Sequence, residues 1–372
     1  MLTRTNILSK GGATQLMENV KLHVREYREL AGMTQQDVGE RLGVTRQTIA
    51  AWEKGDSTPT LAQLFRLTEV LGVQADLLLN ASPKPEPAFL FRADKPEALS
   101  PEMRALLTRK ATDYAAVERI MGLTPLLPES RPLDEYMPDV VEAAAVETRR
   151  WLGTEAGPLC YALSLLEEKG LKVILHRMPP EVSGLSAFDE ELGGVLFVNA
   201  GHPVERRLFT ALHEMAHLVF HRREYQHPVR QKKNDPKERV AHHFAAAILL
   251  PREAIERELK GFRGRWIPEV LLRDMKWRYH ASMRTILLRA EHLGLIPRGQ
   301  AGRQIGSLNK KYGTDYEPPD LPEPKGLARL KRLVFEALAG ERITVSRASE
   351  ILRSPLAEVQ ATLAQWTEGE QP

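Results

Sequence analysis

The feature that most constrains this chain is Leu208-Phe209-Thr210-Ala211-Leu212-His213-Glu214-Met215-Ala216-His217-Leu218-Val219-Phe220-His221, a run that reads as helix throughout. It carries H-E-x-x-H and meets no Pro or Gly after Pro203. On an α-helix, residues four apart lie on one face about one turn apart, so His213 and His217 can offer imidazole nitrogens to one metal ion. Glu214 is rotated off that line, from where its carboxylate can reach water at the metal and take its proton. The pattern predicts a mononuclear zinc hydrolase. A motif this short is equally compatible with an amphipathic helix whose two His are ordinary surface or core residues.

A catalytic zinc usually takes three protein ligands and leaves one position for water. A third ligand is therefore required, and no further His stands at metzincin spacing. A second helical stretch, from Glu238 to Pro251 (E-R-V-A-H-H-F-A-A-A-I-L-L-P), supplies a candidate. Together the two stretches resemble the ImmA/IrrE family of metallopeptidases, in which F-T-x-x-H-E-x-x-H is followed by E-x-x-A-N-x-F-A-x-x-L-L-x-P. The match runs through Phe209, Thr210, His213, Glu214, His217, Glu238, Ala241, Phe244, Ala245, Leu249 and Pro251. The resemblance implies a zinc ion (Zn2+) as cofactor, Glu238 as the third ligand and Glu214 as the general base. One position departs from the family. Where the pattern has Asn this chain has His242, one turn beyond Glu238 on the same face, placed to hydrogen-bond a ligand. Direct binding of the metal by His242 is the lesser alternative. His221, one turn past His217, reads as an interfacial residue.

Upstream, the punctuation between Asn19 and Asn80 marks five short helices. Val24 to Leu30 is the first; Thr34 caps the second, which Leu42-Gly43 closes; Thr45 to Gly55 is the third. A fourth begins at Pro59-Thr60-Leu61, and Asp76 to Leu79 is a last turn. Two helices joined by Gly43-Val44 have the geometry of a helix-turn-helix, whose second helix enters the major groove. The segment T-Q-Q-D-V-G-E-R-L-G-V-T-R-Q-T-I-A-A-W-E-K-G, from Thr34 to Gly55, resembles the XRE, lambda-repressor-like family over its whole length. The resemblance implies that Arg46, Gln47 and Thr48 read base edges while Gln35 holds phosphate. Arg suits guanine and Gln suits adenine, because each can form two bonds to its base. Ala50 and Trp52 read as core. The competing reading is a small helical bundle with a protein partner. Residues 21–79 hold 7 Lys and Arg against 8 Asp and Glu, so affinity for DNA rests on a local patch. One small domain also buries little surface alone, which predicts a homodimer on an inverted-repeat, double-stranded DNA operator.

At 372 residues the chain exceeds one ordinary domain, and 42% hydrophobic with 27% charged residues describes a globular protein. Cys160, the single cysteine, excludes an intrachain disulfide and a thiolate zinc site. No signal-peptide core or membrane-length apolar run is present, which predicts a cytoplasmic protein with no membrane partner. The expected fold is mainly α with a small β-sheet: an all-α helix-turn-helix domain, an α+β zincin-like peptidase domain and a helical C-terminal unit. The expected boundaries are a disordered lead at 1–18, the DNA-binding domain at 19–80 and a Pro-containing linker and connector at 81–137. The peptidase domain follows at 138–300 and the C-terminal unit at 326–368.

Within the peptidase domain, Val140–Trp151 and Pro158–Lys169 read as helices, and Gly170–Leu175 and Gly194–Asn199 as strands. An edge strand can bind substrate backbone by strand addition, and Leu185–Phe188 or Val195–Asn199 are the candidates. Arg222 to Lys237, with Arg230, Lys232 and Lys233, reads as a solvated loop. From Lys260 to Lys311, 12 Lys and Arg stand against 3 acids, an excess that predicts recognition of an acidic partner. Tyr279 and His280 are candidate oxyanion donors. Ile343 to Ala348 suggests a second short helix-turn-helix, to which no site is assigned.

The resemblances imply a transcriptional regulator fused to a zinc-dependent endopeptidase that cleaves a repressor-type regulatory protein in a stress or mobile-element response. The alternatives are a non-catalytic regulator with a structural or sensory zinc, and a self-cleaving repressor or antitoxin module. Proline flanks the connector and cannot donate to a strand pairing, which favours a separate protein as substrate.

Overall fold

The computed structural model describes residues 24–30, 33–71, 78, 92–93, 98–124, 127–133, 135–154, 157–159, 162–226, 235–323 and 328–367. The expected disordered lead, most of the expected fifth helix of the DNA-binding domain, the Pro-rich run at 81–87, Cys160 and the charged loop carrying Arg230, Lys232 and Lys233 lie outside these residues. The chain divides into two compact units, 1–88 with 99–109, and 89–98 with 110–372.

In the first unit, helices α1 (Val24–Leu30), α2 (Gln35–Leu42), α3 (Arg46–Lys54) and α4 (Leu61–Leu71) follow the expected punctuation. Thr34 and Asp37 form a capping box at the start of α2, and Thr45 caps α3 through the Thr48 amide. Between them Gly43 takes φ 70°, a left-handed conformation that costs glycine nothing. The turn thereby sets α3 against α2. Val24, Tyr27, Val38, Leu42, Ile49, Trp52, Leu64 and Leu67 are buried and form its core. Ala50, expected there too, is only partly buried.

The second unit contains strand β1 (Arg92–Ala93) and then the end of helix α5 (Pro101–Ile120), whose residues group with it from Lys110 onward. Helices α6 (Pro138–Trp151) and α7 (Ala162–Glu168) precede strands β2 (Lys172–His176), β3 (Gly184–Asp189) and β4 (Gly193–Asn199). Helices α8 (Val204–Phe220), α9 (Pro236–Leu249), α10 (Arg252–Glu258), α11 (Glu269–Tyr279), α12 (Met283–His292) and α13 (Gln300–Tyr312) come next. Three more close the chain: α14 (Arg329–Ala339), α15 (Val345–Leu352) and α16 (Leu356–Thr367). The sheet order is β1-β3-β4-β2, with β2 parallel to β4 and the other pairings antiparallel. Strand β4 is buried along its whole length between β3 and β2, so it is not an edge, and β3, the other expected edge strand, carries β1 on its outer side at Leu185–Ser186.

Every residue of α8 from Thr210 to Phe220 is buried, as suits a helix covered on all sides. It packs across β3 and β4 on one side and against α9 on the other. Gly184 makes the close approach to β3 possible, since a Cβ there would lie 2.4 Å from Thr210 Cγ2. Asn199, at the end of β4, donates to the carbonyls of Met178, Pro179 and Val182 and so fixes the loop that leads into β3.

Two findings differ from the sequence expectations. The connector helix from Lys110 onward and the C-terminal helices belong to the same compact unit as the peptidase-like elements, joined by a buried polar network. In it Lys172 Nζ lies 2.6 Å from Glu118, Tyr114 donates to Glu167 at 3.1 Å, and Arg329 pairs with Glu118. The basic run from Lys260 to Lys311 is open only in part. Lys276 pairs with Glu205 at 2.7 Å, Arg278 with Glu258 at 2.7 Å, Arg284 with Glu317 at 3.1 Å, and Arg289 with Glu142 at 2.6 Å. These acids all lie outside the run, which is why counting charge along the sequence overstates its field. At the C-terminus, Thr344 caps α15 and Arg353 takes φ 53° between α15 and α16, a second helix-turn-helix arrangement. No helix among the described residues is long and apolar enough to cross a membrane.

Candidate metal centre and nucleic-acid interface

Helices α8 and α9 bring three ligand atoms to one point. His213 Nε2 and His217 Nε2 lie 3.2 Å apart, and Glu238 places Oε2 3.1 Å from the first and Oε1 3.6 Å from the second. In a tetrahedral zinc site with bonds of about 2.0–2.1 Å, neighbouring ligand atoms stand about 3.3–3.4 Å apart. The observed triangle brackets that edge, and an N2O donor set suits zinc. Two imidazole nitrogens facing each other at this distance also call for a proton or a cation between them. Helix capping places the third candidate ligand: Asp235 caps α9 through the Lys237 amide, which puts Glu238 in the first turn.

The two histidines are held from behind. His217 Nδ1 is 3.0 Å from His221 Nδ1, and His221 is buried. With Nε2 turned to a metal, Nδ1 of His217 carries the proton and donates it to His221, which fixes the ring. His221 is thus buried against His217, a candidate ligand, and is not only an interfacial residue. His242 is exposed and stands edge-on to His213, with ring centroids 4.6 Å apart. Its Nδ1 meets the Glu238 carbonyl at 2.7 Å, and because a carbonyl only accepts, Nδ1 carries the proton. Glu214 is 2% exposed, and Ser186 Oγ on β3 donates to its Oε2 at 2.5 Å. Tyr225 in turn donates to Ser186 Oγ at 2.7 Å.

A second convergence among the described residues, Glu142, His243 and His292, does not have this character. Arg289 holds both oxygens of Glu142, at 2.6 and 3.0 Å, and His243 Nε2 meets the same carboxylate at 2.8 Å. A carboxylate already neutralised by a bidentate guanidinium is a poor metal ligand.

In the first unit, Arg46 and Gln47 are exposed and Thr48 half-buried in the opening turn of α3. Gln35, first residue of α2, donates to Glu53 at 2.8 Å and accepts from Arg46 at 3.5 Å. Arg28 closes on the same Glu53 at 2.5 Å, so one partly buried carboxylate ties α1, α2 and α3 together. The result is a rigid turn that presents the start of α3 with its polar side chains outward.

Residues 24–78 match the Helix-turn-helix family model, and residues 166–291 match the model of the IrrE N-terminal-like domain. A helix-turn-helix-type transcriptional regulator of Methanothermobacter thermautotrophicus is 49% identical over 49 residues, 13% of this chain and 71% of its own. The chain belongs to the helix-turn-helix transcriptional regulators. The regulator DicA of Escherichia coli is 33% identical over 84 residues, 23% of this chain and 61% of its own. A transcriptional regulator of Mycobacterium tuberculosis with a solved structure aligns over 49% of this chain and 51% of its own, with TM-score 0.31 and 18% identity, too low to carry an argument.

This regulator thus has both expected halves, and the remaining expected site residues fall as follows. Tyr279 is buried, and its hydroxyl donates to Glu258 at 3.1 Å. Burial and then that carboxylate push its pKa up. Its proton is committed to Glu258 and is not offered to an oxyanion. His280 ends α11 in a left-handed conformation, φ 52°, and burial lowers its pKa while Glu205 opposes. Neither belongs to the converging ligand group. Sequence reading did not find Ser186 or Tyr225. The first is an ordinary serine in a strand and the second follows the helix without a motif, so only the fold brings them to Glu214.

Proposed function

We propose that this regulator joins operator binding in its first unit to zinc-dependent endopeptidase activity in its second. The observation that carries the reading is the triangle of His213, His217 and Glu238 at zinc-ligand spacing, with Glu214 held beside it by Ser186. When bound, zinc supplies Lewis acidity, which polarises a carbonyl and makes water more acidic. Glu214 accepts the proton of the attacking water and returns it to the leaving nitrogen. Ser186 and Tyr225 fix the direction from which that carboxylate approaches, so the base need not be ordered during the reaction. Gly184 and β3 bring both groups against α8.

The substrate is a repressor-type regulatory protein, and the DNA-binding form is a homodimer on an inverted repeat in the cytoplasm. The XRE and ImmA/IrrE resemblances support this part of the reading. The test is a cleavage and capture screen in which the wild-type chain is compared with Glu214→Gln. The variant keeps shape and metal ligands and loses the base, so it should retain a protein that the wild type cuts. No fragment from any protein, with zinc bound to the wild type, would leave a non-catalytic regulator as the better account.

A further inference from the structure

The β3 edge of the sheet runs beside the candidate centre, and that edge is filled. Arg92 pairs with Ser186 and Ala93 with Leu185 in antiparallel register. Ser186 is also the residue whose hydroxyl holds Glu214, so the pairing lies one side chain away from the base. The occupant comes from the segment between the DNA-binding helices and the rest of the chain. Residues 89–98 group with the second unit, although the stretches on both sides, up to Ala88 and from Leu99 to Arg109, group with the first.

An exposed strand edge takes an extended peptide by strand addition, with main-chain hydrogen bonds that are largely indifferent to sequence. We propose that the outer edge of β3 at Leu185–Ser186 is the peptide-binding edge of the second unit, and that residues 92–93 of the same chain are its resident occupant. An extended segment of a substrate protein then gains the site by exchanging with them. This inference rests on the endopeptidase reading for the identity of the peptide, and its test does not depend on cleavage. Two features fit an exchangeable occupant better than a permanent edge cover. Pro87 and Pro96 bound the surrounding sequence, and proline cannot donate to a ladder, so the pairing cannot spread past Ala88 or Lys95. The occupant is also covalently tethered, so a short pairing suffices to fill the edge at the high effective concentration a linker provides.

The experiment uses the full chain carrying Glu214→Gln, so that nothing is cut. A fluorescein-labelled peptide A-F-L-F-R-A-D-K, the sequence of residues 88–95, is titrated and followed by anisotropy. It is compared with the same chain carrying R92P and A93P, in which the resident strand can no longer pair. Binding should tighten about tenfold in the proline variant, the factor by which the tethered competitor occupies the edge. Equal binding to both proteins, or to neither, would overturn the proposal. A second measurement needs no proline. Excess peptide should speed amide exchange at Ala93 or Arg92 of the parent chain while Leu185 and Ser186 stay protected. Unchanged exchange at 92–93 with the peptide bound would place it elsewhere and equally overturn the idea.

Discussion

Gly184→Ala probes the contact on which the candidate centre is built. A Cβ at Gly184 would lie 2.4 Å from Thr210 Cγ2, 2.9 Å from the Phe197 carbonyl oxygen and 3.4 Å from Glu214 Cγ. Carbon contacts are comfortable near 3.5–4.0 Å, so the first must open by about 1 Å and the second by roughly half that. A helical threonine has two usable rotamers, and turning Thr210 relieves part of the first clash. The second cannot be relieved that way, because the Phe197 oxygen is main chain of β4 in register with Leu185. Overpacking of this kind costs about 1–3 kcal/mol, and the stiffer unfolded chain of alanine returns about 0.5–1 kcal/mol. The expected net loss is about 1–2 kcal/mol, of which Thr210→Ser should recover about half in the double variant, since it deletes Cγ2. Two units need not unfold together, so native-state amide exchange over 184–189 and 193–199 is the right assay. Unchanged protection in Gly184→Ala, or no recovery with Thr210→Ser, would refute the packing argument.

Three further outcomes follow from the same geometry. Ser186→Ala and Tyr225→Phe should leave zinc content at the wild-type level and slow cleavage about 10–100-fold, as loss of a group that orients the site does, checked by metal analysis beside turnover. Arg46→Ala should cost about 1–3 kcal/mol in operator binding and relax preference at one base per half-site, measured by duplex titration at fixed salt. Burial works to raise the Glu142 pKa, but the hydrogen bond from His243 and the charge of Arg289 outweigh it and hold the carboxyl well below its usual range. A folded pKa below the unfolded one gives stability that is present above the unfolded value and lost as pH falls through the folded one. Glu142→Gln should therefore cost about 3 kcal/mol near neutrality, with the gap to wild type closing as urea midpoints are followed below about pH 4.

What was legible in the sequence is what local rules govern. Thr34, Gly43 and Thr45 set the helix-turn-helix because caps and a left-handed turn act within a few residues. The convergence of the three candidate ligands was legible because His213 and His217 share a helical face and Glu238 opens the next helix. What was not legible depends on distant partners. The basic run looked more open than it is, since Glu142, Glu205 and Glu317 offset part of its charge from elsewhere in the chain. Helix α13 lies beyond the expected end at 300, although Ala301, Ile305, Leu308 and Tyr312 repeat at helical spacing and pack on the core. What ties it there is long-range: Gln300 donates to the Arg265 carbonyl at 2.6 Å and Gln304 to that of Ile267 at 2.9 Å, contacts no local pattern announces. The two-residue strand β1 carries no periodic signal at all, yet it occupies the edge beside Ser186.

The most direct test of the central claim is zinc content after equilibrium dialysis of wild type, Glu214→Gln, His217→Ala and Glu238→Ala. The wild type and Glu214→Gln should each retain about one equivalent, because the base is not a ligand, while His217→Ala and Glu238→Ala should lose it. Equal zinc in the wild type and both ligand variants would contradict the assignment of His213, His217 and Glu238 as the metal centre.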